Sequence, residues 1–359
     1  MPESHYHGLI LAGGRGTRFW PRSRRRHAKQ VLNVVGVRSL IQATVDRLIP
    51  LIPAERLWIL TNDYLRDEVV RQLPEVPERQ ILAEPQQRNT APAIGLAAHI
   101  LQSIDANAVM GVFPADHVIL KPDLYLEMLR PAFAAAEAGQ IAVLGIQPRW
   151  PETGYGYIEF ACGTLPGAAG VQPVRAFKEK PNLETARKYV QSGNYYWNAG
   201  MFFWRADVLL AELARHLPET AAHLAGLPAF NDSRFASALE KVFPLCPDIS
   251  IDYAVLERAQ NVAGMACADI GWNDVGSWDA VYELLPRDSD ENASRSELIS
   301  SESRGNYIDA GKKLVALLGV KDLIVVDTPD ALLIADRSRA QQVGEIVKLL
   351  ENNGREDLL

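Results

Sequence analysis

Residues 7–18 read HGLILAGGRGTR, an apolar run that ends in three glycines and two arginines. His7 to Ala12 is short and apolar, as a buried strand is. Gly13, Gly14 and Gly16 let backbone amides approach an anion closely and supply the positive φ that an anion-holding nest requires. Arg15 and Arg18 add guanidinium groups, which pair bidentately with phosphate oxygens. Leu11, Ala12 and Thr17 complete this segment. It is not a P-loop, because no Gly-Lys-Ser/Thr follows at the right offset. Nor is it a dinucleotide fingerprint, since Phe19 stands where the third glycine belongs. The reading is a cradle for a di- or triphosphate, with a plain strand–helix turn as the alternative.

Outward from this loop, apolar periodicity predicts a helix over 40–51, a strand over 57–61 and a helix over 64–73. A short strand over 81–83, a loop over 84–89 and a helix over 91–104 follow. Next come a strand over 108–113, a helix over 125–138 and a strand over 141–145. Alternating strands and helices predict a mainly parallel sheet in three layers. Ligands bind beyond the carboxyl ends of such strands, which places the glycine loop and Asp116 at one edge. Beyond residue 150, GYGYIEF (154–160) and VRAFKEKP (174–181) predict antiparallel strands, with helices over 183–192 and 206–216 around a strand over 198–205. A helical stretch over 250–258 precedes a strand over 265–270. The expected organisation is a domain over 1–286, a polar linker over 287–304, and a small unit over 305–359 of short strands closed by a helix over 339–351.

The 359 residues are 48% hydrophobic and 23% charged, and 37 basic against 44 acidic side chains leave a net charge of −7. That excludes a general nucleic-acid binder, which needs a basic surface. No apolar run approaches the roughly 20 residues of a membrane span, and the first residues lack the pattern of a signal peptide. Cys162, Cys246 and Cys267 form no CxxC pair, so a reducing cytoplasm is the expected compartment. One local fact departs from the average. No acid occurs between Ser4 and Val45, a stretch that holds Arg15, Arg18, Arg22, Arg24, Arg25, Arg26, Lys29 and Arg38. It reads as a polyanion site, with a solvated basic loop as the alternative.

Asp116 lies where a buried strand emerges, and Asp274 lies in WNDVGSW (272–278). Carboxylates from two strand ends suit Mg²⁺, which takes one or two of them plus phosphates and waters. Singly, each reads first as a cap or turn residue. His117 is expected to pack or hydrogen-bond beside them. Lys29 ends the basic cluster, and strand alternation places Lys178 and Lys180 on one side. No Ser-His-Asp triad, zinc spacing or glycosidase pair stands out.

Taken in order, LAGGRGTRFWP (11–21), AKQ (28–30), EPQQRNTAPAI (84–94), FPADH (113–117), TGYGYIE (153–159), FKEKP (177–181), WNAGMFFW (197–204), SIDYAVLE (250–257) and WNDVGSW (272–278) resemble the sugar-nucleotide pyrophosphorylases. Residues 84–94 and 197–204, with DALLIADRSRAQQV (330–343), resemble the mannose-1-phosphate guanylyltransferase branch. The resemblance implies a Rossmann-like (GT-A-like) α/β catalytic domain of mixed sheet flanked by helices, with a small left-handed β-helix-like segment. It implies GTP and mannose 1-phosphate as substrates, GDP-mannose and pyrophosphate as products, and Mg²⁺ as cofactor. By the same resemblance, Leu11–Arg18 would hold the GTP phosphates, with Arg18 and Lys29 stabilising the transferring and leaving groups. Asp116 and Asp274 would carry the metal. Glu84, Asn89 and Thr90 would border guanine, Gly156, Glu179, Asn198 and Asp252 would line the sugar, and Lys180 would meet its phosphate. A homodimer is implied by the family alone. The family usually has Pro-Lys-Gln where this chain has Ala28-Lys29-Gln30, and longer relatives continue into a phosphomannose isomerase domain for which this chain leaves no room. The alternatives are the same reaction with UTP or dTTP and glucose 1-phosphate, or a silent sugar-nucleotide-binding regulator. A regulator would be marked by loss of Arg18, Lys29, Asp116 or Asp274, and all four are present.

Overall fold

A computed structural model describes residues 5–359. Its main sheet runs in the order Ile81–Glu84, Leu57–Asn62, Tyr6–Leu11, Val109–Pro114, Tyr195–Arg205, Ile141–Ile146, Val262–Ala266 and Gln172–Pro173. The first four strands are parallel, as the alternation of apolar strands and helices requires. The sheet as a whole is mixed, because Tyr195–Arg205 runs antiparallel to both its neighbours. This strand starts earlier than its apolar pattern indicates, and its first residues pair with Tyr157–Glu159. Its register shifts between Asn198 and Phe202, with Gly200 at φ 66°, and such a bulge re-aims the side chains beside it.

Alternation along Tyr6–Leu11 sends Ile10 to one face with Ile59, Phe113 and Phe133, and Leu9 to the other with Trp58, Ile94 and Trp204. From Leu11 the chain steps outward through Leu57–Asn62 and Ile81–Glu84, then crosses back to Val109–Pro114. The order therefore reverses between Leu11 and Pro114, where the Ala115 amide donates to the Leu11 carbonyl at 3.1 Å. A crevice opens at such a switch point.

The stretch 287–304, polar enough to read as a linker, instead contains Ala293–Ser294 and Leu298–Ser301. These pair in parallel with Tyr307–Asp309 and Val315–Leu318, and Tyr307–Asp309 pairs with Leu323–Asp327. The polarity has a structural use. Asn306 donates to the Asn292 side chain at 2.8 Å and accepts from the Leu323 amide at 2.9 Å, a stacked ladder between successive parallel rungs. This β-helix-like unit docks on the large domain through buried Phe19, Trp20, Trp278, Tyr307, Val343 and Val347. The terminal helix, Val343–Asn352, lies against the Thr17–Phe19 turn. A Cβ on Gly344 would stand 3.3 Å from Thr17 Oγ1, so a residue unfavourable in helices permits this approach. No helix among the described residues is long and apolar enough to cross a membrane.

Candidate active site

The crevice at the switch point is a cleft of about 450 Å³ lined by Leu11, Gly13, Glu84, Thr90, Asp116 and Asp248, among others. Its floor is the glycine loop. Gln30, buried, donates to the carbonyls of Ala12 at 2.6 Å and Gly14 at 3.1 Å. Thr61 also donates to Ala12, and Asn62 and Gln87 donate to Gly13. The carbonyls that would repel a phosphate are thus engaged by side chains. Gly16 has φ 61°, and a Cβ there would come within 2.6 Å of Lys29 Cβ. Only glycine allows both that turn and that contact.

Glu84 ends its strand at the cleft wall, buried, with Oε1 lacking a hydrogen-bond partner among the described residues. Burial pushes its carboxyl up to about 8. Such an orphaned acid costs stability in the free protein and fits a ligand that brings N–H donors. Asn89, at φ 63°, caps the helix Thr90–Ile104 by accepting from the Thr90 amide. Thr90 Oγ1 accepts from the Ile251 amide at 2.9 Å, tying this end of the cleft to Asp252.

Lys29 is buried, 2.8 Å from Asp116 Oδ2 and 2.7 Å from the Asp274 carbonyl. One ammonium therefore joins the two segments that sequence reading paired. Burial would raise the Asp116 carboxyl, but Lys29 overrides it and holds the group below its usual range. The Tyr155 hydroxyl donates to Asp274, and its own ionisation is pushed up by burial and then by that carboxylate. His117 is a packing and hydrogen-bonding neighbour: Trp272 Nε1 donates to its Nδ1 at 3.2 Å, and burial lowers the imidazole to about 4, so it stays neutral. Among the described residues no three His, Cys, Asp or Glu gather as a self-contained metal site. Two hard carboxylate donors fit an Mg²⁺ ion whose other ligands arrive with phosphates and water.

Gly156, Glu179, Asn198 and Asp252 come together beside this group. Asn198 donates to Asp252 at 2.9 Å, and its side-chain carbonyl accepts from the Gly200 amide inside the bulge. Glu179 Oε2 is buried without a hydrogen-bond partner among the described residues, and a Cβ on Gly156 would sit 2.3 Å from it. Burial, then the Glu179 charge, raises Asp252 to about 6. Asp252 begins a π-helical turn, Asp252–Leu256, rather than an ordinary helix, an irregularity frequent at functional sites. Lys180 departs from its expected strand position. The strand ends at Lys178, and Lys180 sits at φ 46° with Nζ 3.0 Å from Glu179. Pro181 cannot continue the ladder, so alternation stops before Lys180.

The arginine cluster is not one open anion site. Arg22 pairs with Asp309 at 2.6 Å, Arg24 with Asp330 at 3.0 Å, Arg15 with Glu351 at 2.6 Å, and Arg25 with Glu356. Arg18 donates to Gln341. Much of the basic excess is matched by acids about 300 residues away in sequence, which single-sequence charge patterning cannot locate. Gln30, Tyr155 and Asp248 also escaped the sequence reading. Gln30 and Tyr155 carried a signal, as members of the AKQ and TGYGYIE stretches, whereas Asp248 carried none.

Residues 7–291 match the nucleotidyl transferase family, and residues 296–350 match the MannoseP isomerase/GMP-like beta-helix domain. A mannose-1-phosphate guanylyltransferase of Escherichia coli (strain K12) is 40% identical over 369 residues, covering 99% of this chain and 76% of the relative. The xanthan biosynthesis protein XanB of Xanthomonas campestris pv. campestris (strain B100) is 39% identical over 353 residues, covering 97% and 74%. A crystal structure described as mannose-1-phosphate geranyltransferase from Thermus thermophilus superposes with a TM-score of 0.85 at 34% identity, covering 97% of this chain and all of that one.

Proposed function

The chain belongs to the nucleotidyl transferase family, and from that premise we propose that it transfers GMP from GTP to mannose 1-phosphate, releasing pyrophosphate and forming GDP-mannose. Relatives at about 40% identity over nearly the whole chain carry that activity in their names. The observation that carries the reading in this molecule is Glu84, a carboxyl buried at the wall of a cleft floored by the glycine loop, whose Oε1 has no hydrogen-bond partner among the described residues. Guanine presents N1–H and a 2-amino group side by side, the donor pair a carboxylate accepts.

A phosphate oxygen of mannose 1-phosphate attacks the α-phosphorus of GTP in line. The new O–P bond forms as the bond to the β-phosphate oxygen breaks, and pyrophosphate leaves with the electron pair. The nucleophile is already anionic near neutral pH, so catalysis is positioning and charge neutralisation. The Leu11–Arg18 loop holds the nucleotide phosphates, with Arg18 and Lys29 countering charge on the transferring and leaving groups. Glu84, Asn89 and Thr90 border the base. Gly156, Glu179, Asn198 and Asp252 receive the sugar hydroxyls, and Lys180 meets the sugar phosphate. Asp116 and Asp274 would hold Mg²⁺, which would supply Lewis-acid neutralisation of the phosphates. A homodimer belongs to this reading, supported by exposed apolar residues such as Leu318 and Ile334 on the small domain. So does the cytoplasm, which three unpaired cysteines suit.

The test is pyrophosphate release with Mg²⁺, crossing GTP, ATP, UTP and dTTP with mannose 1-phosphate and glucose 1-phosphate. Release with GTP and mannose 1-phosphate far above every other pair is expected. A different preferred pair would overturn the base or sugar, and silence from folded protein would favour a binding regulator.

A further inference from the structure

A second cleft, about 550 Å³, adjoins the first and shares Gly14, Glu84 and Gln87 with it. Its basic lining is Arg15 and Arg25, and each already holds an acid from the C-terminal end of the chain. Glu351 lies on the terminal helix, whose Gly344 packs against Thr17 and Arg18 of the phosphate loop. Glu356 follows four residues after that helix. Both pairs are partly exposed, with Arg15 and Glu351 at 48% and 33%, and Arg25 and Glu356 at 39% and 64%. Ion pairs this wet contribute little and exchange readily. A triphosphate brings several negative charges to the same two guanidiniums at once.

We propose that Glu351 and Glu356 form a displaceable internal counter-anion, which occupies Arg15 and Arg25 until the phosphates of a nucleoside triphosphate, or pyrophosphate, take their place. The small domain thereby sets how tightly the catalytic domain holds polyphosphate, weakening both substrate binding and product retention. The inference rests on the reading that a triphosphate sits on the Leu11–Arg18 loop. It adds that the C-terminal acids act through Arg15 and Arg25 and never touch the nucleotide.

Equilibrium titration of the full chain with GTP, and separately with inorganic pyrophosphate, tests this in Glu351→Gln, Glu356→Gln and the double variant. Each substitution should tighten both ligands about two- to fivefold, with a steeper salt dependence because the freed arginines now exchange solution counterions. In an Arg15→Gln background, Glu351→Gln should have no further effect on affinity. Amide hydrogen exchange on the unmodified protein gives an independent readout, in which saturating GTP should speed exchange in the Val343–Asn352 helix. Unchanged or weaker binding by Glu351→Gln, or slower exchange in that helix with GTP, would overturn the proposal and make the acids supports for the arginines. Failure of the unmodified protein to bind GTP would instead sink the nucleotide reading itself.

Discussion

Replacing Glu84 with Gln separates the demands of folding from those of base recognition. Burial moves this carboxyl from its ordinary value of 4.5 to about 8. The folded-state value is the higher one, so folding favours the neutral acid. The penalty is absent below pH 4.5, grows as pH rises from there toward 8, and is complete above it. At about 1.4 kcal/mol per unit, the shift sets an upper figure of about 5 kcal/mol. An unsatisfied buried group costs at least about 1–3 kcal/mol. Urea denaturation of the ligand-free protein should therefore show Glu84→Gln stabilised relative to the parent by about 1–5 kcal/mol at pH 8.5, with the advantage shrinking toward pH 5. GTP binding should move the opposite way. If guanine requires the carboxylate, affinity rises with pH until the acid is ionised, by about fiftyfold between pH 6 and 8 for a group titrating near 8. In Glu84→Gln that rise should flatten to the slope contributed by the triphosphate alone, which UTP reports. Affinity at pH 8 should drop by about 1.5–3 kcal/mol, the worth of hydrogen bonds to a charged acceptor. Parent and variant sharing one pH profile for GTP would refute the assignment of Glu84 to the base.

Asp116→Asn removes the carboxylate that Lys29 holds at 2.8 Å, and pyrophosphate release should fall at least about 100-fold with circular dichroism unchanged. Near-normal turnover would take Asp116 out of the site. Gly156→Ala forces a Cβ to within 2.3 Å of Glu179 Oε2, so steady-state kinetics should show KM for mannose 1-phosphate rising about tenfold or more while the Kd for GTP stays put. Equal losses for both substrates would mean that residue 156 does not belong to the sugar side alone. Chelation with EDTA should abolish turnover yet leave the melting temperature of the ligand-free protein unmoved, because two carboxylates without phosphates make a weak ion site. A large drop in melting temperature would reveal a resident metal.

What the sequence made legible, and what it hid, divides along a physical line. Strand and helix periods are local, so the parallel half of the sheet, the glycine loop and the helix Leu183–Ser192 could be read from spacing alone. The meeting of Asp116 with Asp274 and of Gly156 with Asp252 is long-range: singly, Asp116 and Asp274 read as cap or turn residues, and Gly156 and Asp252 enter only through the family resemblance. At the linker, polarity reads as exposure to solvent, and at the basic run an acid-free stretch reads as one polyanion site. In both places the polar groups satisfy one another inside the protein. Asn292 and Asn306 bridge rungs of the small domain, and Arg22 pairs with Asp309, whose carboxylate is almost fully buried. A buried charge needs a partner, so an acid-free run of 42 residues, from Ser4 to Val45, in a chain of net charge −7 implies acids gathered elsewhere to meet it. The tail supplies them at Asp309, Asp330, Glu351 and Glu356. Two of these pairs anchor the small domain through Arg22 and Arg24. The other two fall on Arg15 and Arg25 beside the cleft floored by the glycine loop, exposed enough to hold the domain weakly and to be open to an incoming phosphate.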